Sequence, residues 1–302
     1  MQEPILKGPV AMTGKIKDFL ELIRLPGMFT AHADILAAFL ITGLGFEKID
    51  ILLLLLLSSS CLFSAGMALN DYFDYEIDSK ERPQRPIPSG RVSRSSALVM
   101  GLCLLGAGIG FAFFAGIRPF CISLALGAAI LLYDGLLKDT PFLGPLTMAS
   151  CRYFNLLMGL SVLPFTGWAF IPLITGIYIF GVTVLSQKEA EGGKAVFNIG
   201  VCALSVGIAP LIYFFLFLQG VLPNFSGALL AILFAIFSSK QILNLLDHHR
   251  PKDFQKTMKI LLLSIIVLNV ILAAGSSPPW AAAMILLLYF PAFFSVRLFR
   301  IT

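Results

Sequence analysis

Charge is what this sequence has least of. Only 13% of its 302 residues are Asp, Glu, Lys or Arg, against roughly 25% in an ordinary soluble domain. With 58% hydrophobic residues and a mean hydropathy of +0.89, a soluble fold would have too little polar surface to face water. Metal-binding cysteine patterns are missing as well. Cys61, Cys103, Cys121, Cys151 and Cys202 all sit in apolar runs, and no two share a CxxC or comparable ligand spacing. They read as small buried hydrophobes. The first 25 residues lack an apolar core ending in a small-residue cleavage site, so no cleavable signal peptide is expected. There is no long polar stretch for a soluble domain and no low-complexity linker.

What fills the chain instead is a succession of apolar stretches of spanning length. They lie near 28–46, 51–73, 95–115, 119–138, 143–165, 168–188, 195–218, 225–246, 256–275 and 278–299. At roughly 20 residues per crossing, this predicts an all-α, polytopic membrane bundle of about nine or ten helices, one domain over 1–302. Pro119, Pro141, Gly144, Gly192, Pro223, Pro251 and Pro278 punctuate the breaks. Gly101, Gly106 and Gly110 are expected to let helix backbones approach closely. Ahead of the first span, Ile16, Phe19, Leu20 and Ile23 have helical spacing among charged residues. Residues 1–25 are therefore expected to form an amphipathic segment at the membrane surface.

The cations orient the bundle. With an even span count, the side opposite the termini receives only Lys48 and Arg118, and Arg152 and Lys240 fall inside spans. All the other Lys and Arg residues lie on the side of the termini, which the positive-inside rule makes cytoplasmic. This basic face accounts for a pI of about 9.0 without a nucleic-acid partner.

The most informative segment follows the second span: NDYFDYEIDSKERPQRPIPSGRVSR, from Asn70 to Arg94. If the helix continues, Asn70, Asp74 and Asp78 stand at i, i+4 and i+8, with Asp71 on the same face. Carboxylates crowded on one face repel unless a cation neutralises them. Hard oxygen donors suit Mg²⁺, which readily shares phosphate oxygens as further ligands. Lys80, Arg82, Arg85, Arg91 and Arg94 follow at once, as a diphosphate would require. The same basic residues also read as a solvated cytoplasmic anchor.

This segment resembles the first motif of the UbiA superfamily of intramembrane prenyltransferases, NDxxDxxxD followed by RPxPSG. Asn70, Asp71, Asp74, Asp78, Arg85, Pro86, Pro88, Ser89 and Gly90 all match. The resemblance implies a helical bundle around a central cavity, and an enzyme transferring an isoprenyl group, an alkyl group other than methyl, from a prenyl diphosphate. It implies that Asn70, Asp71, Asp74 and Asp78 hold Mg²⁺ and that Asp74, Asp78 and Lys138 serve catalysis. Arg24 in RLPG resembles the family's arginine ahead of the first span. Tyr133 and Lys138 in YDGLLK resemble the Tyr and Lys after the fourth, where the lysine contacts diphosphate. Arg24, Lys80, Arg85, Lys138, Lys188 and Lys194 are thus the expected diphosphate-binding residues.

After the sixth span the family carries a second acidic motif, DxxDxEGD. Here the register reads SQKEAEGG: Ser186 and Gly193 replace aspartates, while Glu189 and Glu191 remain. Glu189 is the expected metal ligand from this side, with Lys188 and Lys194 alongside; Glu189 and Glu191 also read as plain loop residues. Together with AHADILAAF and YDGLLKDTPFLGPLTMASCRYFNLLMG, the altered motif resembles the EboC-like branch of the family. That branch implies a bacterial inner membrane.

Ionisable residues inside spans usually face a cavity or a partner. His32, Asp34, Arg152 and Asn155, with Tyr133 and Asp134, are the candidates for contacting an acceptor or lining the cavity. Arg152 and Asn155 share a helix face and read equally as substrate ligands or as an interhelical pair with Asp34. Two rival readings differ in class. A phosphoalcohol transferase would need Ala-Arg after Asp134-Gly135, which is absent. A carrier that binds prenyl diphosphate without reacting it is the alternative left by the eroded second motif.

Overall fold

The computed structural model describes residues 10–164, 167–187, 196–246 and 251–298. Every regular element in them is helical. In chain order these are α1 (Val10–Leu22), α2 (Leu25–Ile41), α3 (Ile49–Phe73), α4 (Tyr75–Glu81), α5 (Arg94–Ala115), α6 (Ile117–Leu132), α7 (Leu143–Leu160), α8 (Pro172–Ser186), α9 (Val196–Leu218), α10 (Phe225–Leu243), α11 (Pro251–Ala274), α12 (Pro279–Leu287) and α13 (Tyr289–Leu298). Seven helical stretches of described residues are long and apolar enough to cross a bilayer, and 25–41 and 279–294 are shorter apolar helices. Large apolar side chains such as Phe114, Leu211 and Phe225 face outward from α5, α9 and α10, as helices in lipid must. The chain is a multi-pass integral membrane protein.

The helices fall where the apolar runs predict them, with two breaks. The last run is split at Leu288, because Pro291 lacks an N–H and its ring crowds the carbonyl four residues back. The run from α3 breaks at Asp74 (φ −79°, ψ 1°) and resumes as α4.

The central strut is α2, buried along nearly its whole length and packed against α3, α7, α11, α12 and α13. Close approach of α5 to α3 depends on two glycines. A Cβ on Gly101 would lie 2.8 Å from Leu69, and one on Gly108 would lie 2.7 Å from Leu62. Gly106 and Gly110, expected to do this work, have nothing within 4 Å. Gly108 takes their place because it, with Gly101, lies on the face turned to α3.

The described part of the N-terminal segment carries the helix α1, and its anchor is Leu22, fully buried with Ala68, Ile87, Val92 and Ala97. Phe19 is 39% exposed. Arg91 then ties α1 down, pairing with Asp18 and, at 3.0 Å, with Glu21. The Glu21 hydrogen bond is the main reason the Arg91 guanidinium sits above its ordinary pKa.

Candidate active site at the mouth of an apolar chamber

Although the helix breaks at Asp74, the helical hydrogen bonding runs through the break. The Asp74 N–H donates to the Asn70 carbonyl at 2.9 Å, and the Asp78 N–H to the Asp74 carbonyl at 2.8 Å. Asn70, Asp74 and Asp78 therefore keep the one-turn spacing read from the sequence.

Each carboxylate of this set meets a cation. Arg24 donates from Nη2 to Asp71 Oδ1 at 2.9 Å and to Asn70 Oδ1 at 3.3 Å. Arg85 donates from Nη1 to Asp78 Oδ2 at 2.5 Å and to Asp71 Oδ1 at 3.4 Å. Lys138 pairs with Asp74. Arg82 stands 4.0 Å from Asp78 at the rim.

Local structure explains how these cations are aimed. Arg24 is the one described non-glycine residue with positive φ (49°). That left-handed turn, costly for a residue with a Cβ, ends α1 and starts α2 while pointing the guanidinium at α3. Arg85 is anchored through its loop: the Ser89 hydroxyl and N–H both donate to its carbonyl, at 2.6 and 3.0 Å. Burial pulls the Arg85 pKa below its ordinary value, the Arg24 charge adds to this, and the two aspartates oppose it.

Lys138 is set by a π turn over Tyr133–Leu137, in which its N–H donates to the Tyr133 carbonyl at 3.0 Å. Such turns are rare and concentrate at functional sites. It aligns two contacts one turn apart. Asn70 Nδ2 donates to Asp134 Oδ1 at 3.1 Å, and Asp74 meets Lys138, both with a sequence offset of 64.

Beside this cluster lies a chamber of about 280 Å³. Leu62, Phe63, Met67, Leu126, Ile130 and Leu263 give it apolar walls. Its polar groups are Arg24, Tyr133, Asp134, Thr30, Arg152, Asn155 and Lys259. Arg24 and Asp134 each bond a residue of the Asp-rich set and also line the chamber, so they form the junction between the two.

Several expectations need correction. His32 and Asp34 do not line the chamber. His32 Nε2 lies 2.6 Å from Ser60 Oγ, on the α3 side of α2. Asp34 is completely buried and accepts from Arg152 (3.0 Å), Asn155 (3.0 Å) and Asn269 (2.7 Å). The pairing of Arg152 with Asp34 is thus real, yet Arg152 and Asn155 line the chamber as well. Lys80 is exposed and forms no ion pair among the described residues, because α4 turns it away from Asp74 and Asp78. Arg85 is wedged between Asp71 and Asp78 and does not reach the chamber. Lys188, Glu189 and Lys194 lie outside the described residues. The end of α8 leading to them is placed by Gln187, which donates to the Thr140 carbonyl at 3.1 Å, two residues beyond Lys138.

The expected metal ligands are not gathered into a ready site. Among the described residues no three carboxylate, imidazole or thiol groups converge on one point, because Arg24, Arg85 and Lys138 stand between the carboxylates. The donors of Asn70, Asp71, Asp74 and Asp78 are nonetheless all hard oxygens, the chemistry Mg²⁺ takes. They fit the ion once a cation gives way.

Sequence reading missed Lys259. It counts among the cations on the side of the termini, at the start of the 256–275 run, but α11 begins at Pro251 and carries it into the chamber wall. The available signal was its position one turn before Leu262 and Leu263, which line the same wall. Thr30 and Asn269 were also overlooked, being uncharged residues in apolar runs.

Comparison with known proteins bears on the fold and the family. A family model described as the UbiA prenyltransferase family matches residues 34–263. The digeranylgeranylglyceryl phosphate synthase of Saccharolobus solfataricus is 25% identical over 264 residues, covering 83% of this chain and 94% of that protein. The same-named enzyme of Methanoregula boonei is 31% identical over 202 residues, 64% of this chain and 70% of that one. Among solved structures, a digeranylgeranylglyceryl phosphate synthase superposes with a TM-score of 0.68 at 21% identity, over 87% of this chain and 98% of its own. A UbiA homolog from Archaeoglobus fulgidus, bound to GPP and Mg²⁺, gives 0.65 at 14% identity, over 83% and 99%. With its helical bundle, its Asp-rich helix end and a family match over most of its length, this chain belongs to the UbiA prenyltransferase family.

Proposed function

We propose that this chain, acting as one unit over 1–302, transfers an isoprenyl group from a prenyl diphosphate to a small-molecule acceptor within the membrane. The observation that carries the reading is the junction itself. A face of Asn70, Asp71, Asp74 and Asp78 meets an apolar chamber through Arg24 and Asp134. The diphosphate belongs at the charged mouth and the hydrocarbon chain in the chamber. The Archaeoglobus fulgidus homolog is bound to GPP and Mg²⁺, which supports a prenyl diphosphate and a divalent ion as the ligands here.

Asn70, Asp71, Asp74 and Asp78 would hold Mg²⁺, with Glu189 a further candidate ligand. A bound Mg²⁺ would offset the negative charge that develops on the departing diphosphate. Arg24 and Lys138 donate to the diphosphate oxygens, with Lys188 and Lys194 as further candidates; preorganised cations here favour the charge-separated transition state. The allylic C1–O bond breaks, its electron pair leaving with the diphosphate. The acceptor attacks C1 and gives up a proton. The apolar walls exclude water, which would otherwise capture the allylic carbon. Tyr133, Asp134, Arg152 and Asn155 form the polar wall available to the acceptor.

The branch and the acceptor are finer matters. SQKEAEGG and the long final apolar run favour an EboC-like member. The curated relatives instead share the name digeranylgeranylglyceryl phosphate synthase, which makes geranylgeranylglyceryl phosphate the first acceptor to try. The cation asymmetry supports a cytoplasmic N-terminus and mouth, in a bacterial inner membrane if the EboC-like likeness holds.

Mass spectrometry of lipids from cells with and without the gene tests the reading. The expected product is heavier than an existing metabolite by whole isoprene units, and Asp74→Ala removes it. Saturable binding of geranylgeranyl diphosphate without diphosphate release, in membranes supplied with host lipid extract, would favour a carrier instead.

A further inference from the structure

The mouth is balanced in an unequal way. Three carboxylates, Asp71, Asp74 and Asp78, face three cations, Arg24, Arg85 and Lys138, but the cations are not equally held. Arg85 is buried between two aspartates, with its carbonyl clasped by Ser89. Arg24 has two acceptors and a backbone locked in the left-handed region. Lys138 has a single partner, Asp74, and both side chains keep partial access to solvent, at 20% and 16%. A lysine is a compact charge on a flexible stem, so it can trade partners at little cost, whereas a forked arginine between two carboxylates cannot.

Asp74 is also the residue at the helix break, one turn from both Asn70 and Asp78, so a divalent ion shared by those two residues would lie beside it. Its carboxylate is already taken. We infer that Lys138 is an internal counter-ion that blocks Asp74 until a diphosphate draws the lysine away, so that divalent cation and prenyl diphosphate bind cooperatively and neither binds tightly alone. This rests on the metal reading above, and it adds an order to it: the lysine changes from carboxylate partner to diphosphate partner as the site loads. Because linkage is reciprocal, the ion must strengthen diphosphate binding by the same factor as the diphosphate strengthens ion binding. Such couplings are typically about 5–150-fold.

The test is Mn²⁺ titration of purified, detergent-solubilised full-length protein by electron paramagnetic resonance, without any diphosphate. Lys138→Met should bind Mn²⁺ about tenfold more tightly than the parent. Lys138→Gln, which keeps a polar side chain, should do the same if the Met variant folds poorly. Arg82→Met removes a charge 4.0 Å from Asp78 without freeing a carboxylate, because Arg85 still pairs with Asp78, and should change Mn²⁺ affinity less than about threefold, since the Arg82 side chain is exposed and such contacts are weak. A second measurement follows retention of radiolabelled geranyl S-thiolodiphosphate on the protein. Mn²⁺ should strengthen it in the parent and much less in Lys138→Met. If Lys138→Met leaves Mn²⁺ affinity unchanged, or shifts it no more than Arg82→Met, the inference is overturned while the metal site stands. If no variant binds Mn²⁺ saturably, and Mn²⁺ has no effect on analogue retention, the metal reading falls and this inference with it.

Discussion

Two charged clusters sit in this bundle, and they are built on opposite terms. The deep one centres on Asp34, completely buried, with Arg152, Asn155 and Asn269 all donating to its carboxylate. Arg152 also reaches Thr30 at 2.7 Å, and Asn155 reaches the Ala31 carbonyl and Ser59. The cluster joins α2, α3, α7 and α11, and its carboxylate has no vacant role. The shallow cluster, at the mouth, has as many cations as carboxylates but holds one of them, Lys138, by a single, partly exposed contact. Burial makes a counter-ion permanent, because removing it strands a charge in a low-dielectric interior. A single partner on a flexible stem makes it exchangeable. The same residue types thus serve as a brace at one depth and as a loading site at another.

The sharpest way to break this contrast is to remove the carboxylate from each cluster. Asp34→Ala should destabilise the protein by about 3–5 kcal/mol, the cost of leaving a buried charge unpaired. The measurement is denaturant or thermal unfolding in detergent, and the double variant Asp34→Ala/Arg152→Leu should recover part of the loss. Asp74→Asn should behave in reverse. Its stability should change by less than about 1 kcal/mol, while prenyl transfer falls about 10²–10³-fold, as when a transition-state charge stabiliser is lost. Equal effects of the two substitutions on stability would erase the distinction between brace and loading site.

A smaller perturbation asks whether the aim of Lys138 matters. In α7, a Cβ on Gly144 would lie 2.5 Å from the Lys138 carbonyl oxygen and 2.9 Å from that of Leu137. Both are backbone atoms that cannot rotate aside, so Gly144→Ala must shift the turn that carries the lysine. The expected result is roughly a tenfold fall in transfer, on the scale of one misplaced group. The folded bundle should survive, because overpacking of this size costs about 1–3 kcal/mol. An unchanged rate would mean that the lysine's flexible stem absorbs the displacement.

The contrast also separates what could be read in the sequence from what could not. Hydropathy located the spans because lipid imposes one simple demand over twenty residues at a time. The spacing of Asn70, Asp74 and Asp78 survived the helix break because its hydrogen bonds run through Asp74. The partners across helices were less legible. Which cation meets which carboxylate depends on a π turn at Tyr133–Leu137 and on a left-handed Arg24, neither of which leaves a periodic trace. Asp34 was seen as polar, but its burial by Asn269 required α11 to lie against α2. Gly108, not Gly106 or Gly110, packs against α3, because choosing among glycines needs the helix's rotation as well as its sequence.

The mildest substitution asks how far the exchangeable character of the mouth extends. Arg91 ties α1 to the loop that carries Arg85, pairing with Asp18 and Glu21 and donating to the Gln84 carbonyl at 2.7 Å. These side chains are partly exposed, so the pairs are screened by salt over a Debye length of about 8 Å at physiological ionic strength. Arg91→Ala should therefore cost only about 0.2–1 kcal/mol. Raising the salt should reproduce part of that loss in the parent and none in the variant. Protease should cut near α1 sooner in the variant, while transfer changes by less than about threefold, because Leu22 stays buried and Arg24 keeps its own bonds to Asn70 and Asp71. A fall in transfer as deep as that of Asp74→Asn would mean that α1 holds Arg24 in its strained turn from outside. The loading site would then begin at the N-terminal helix.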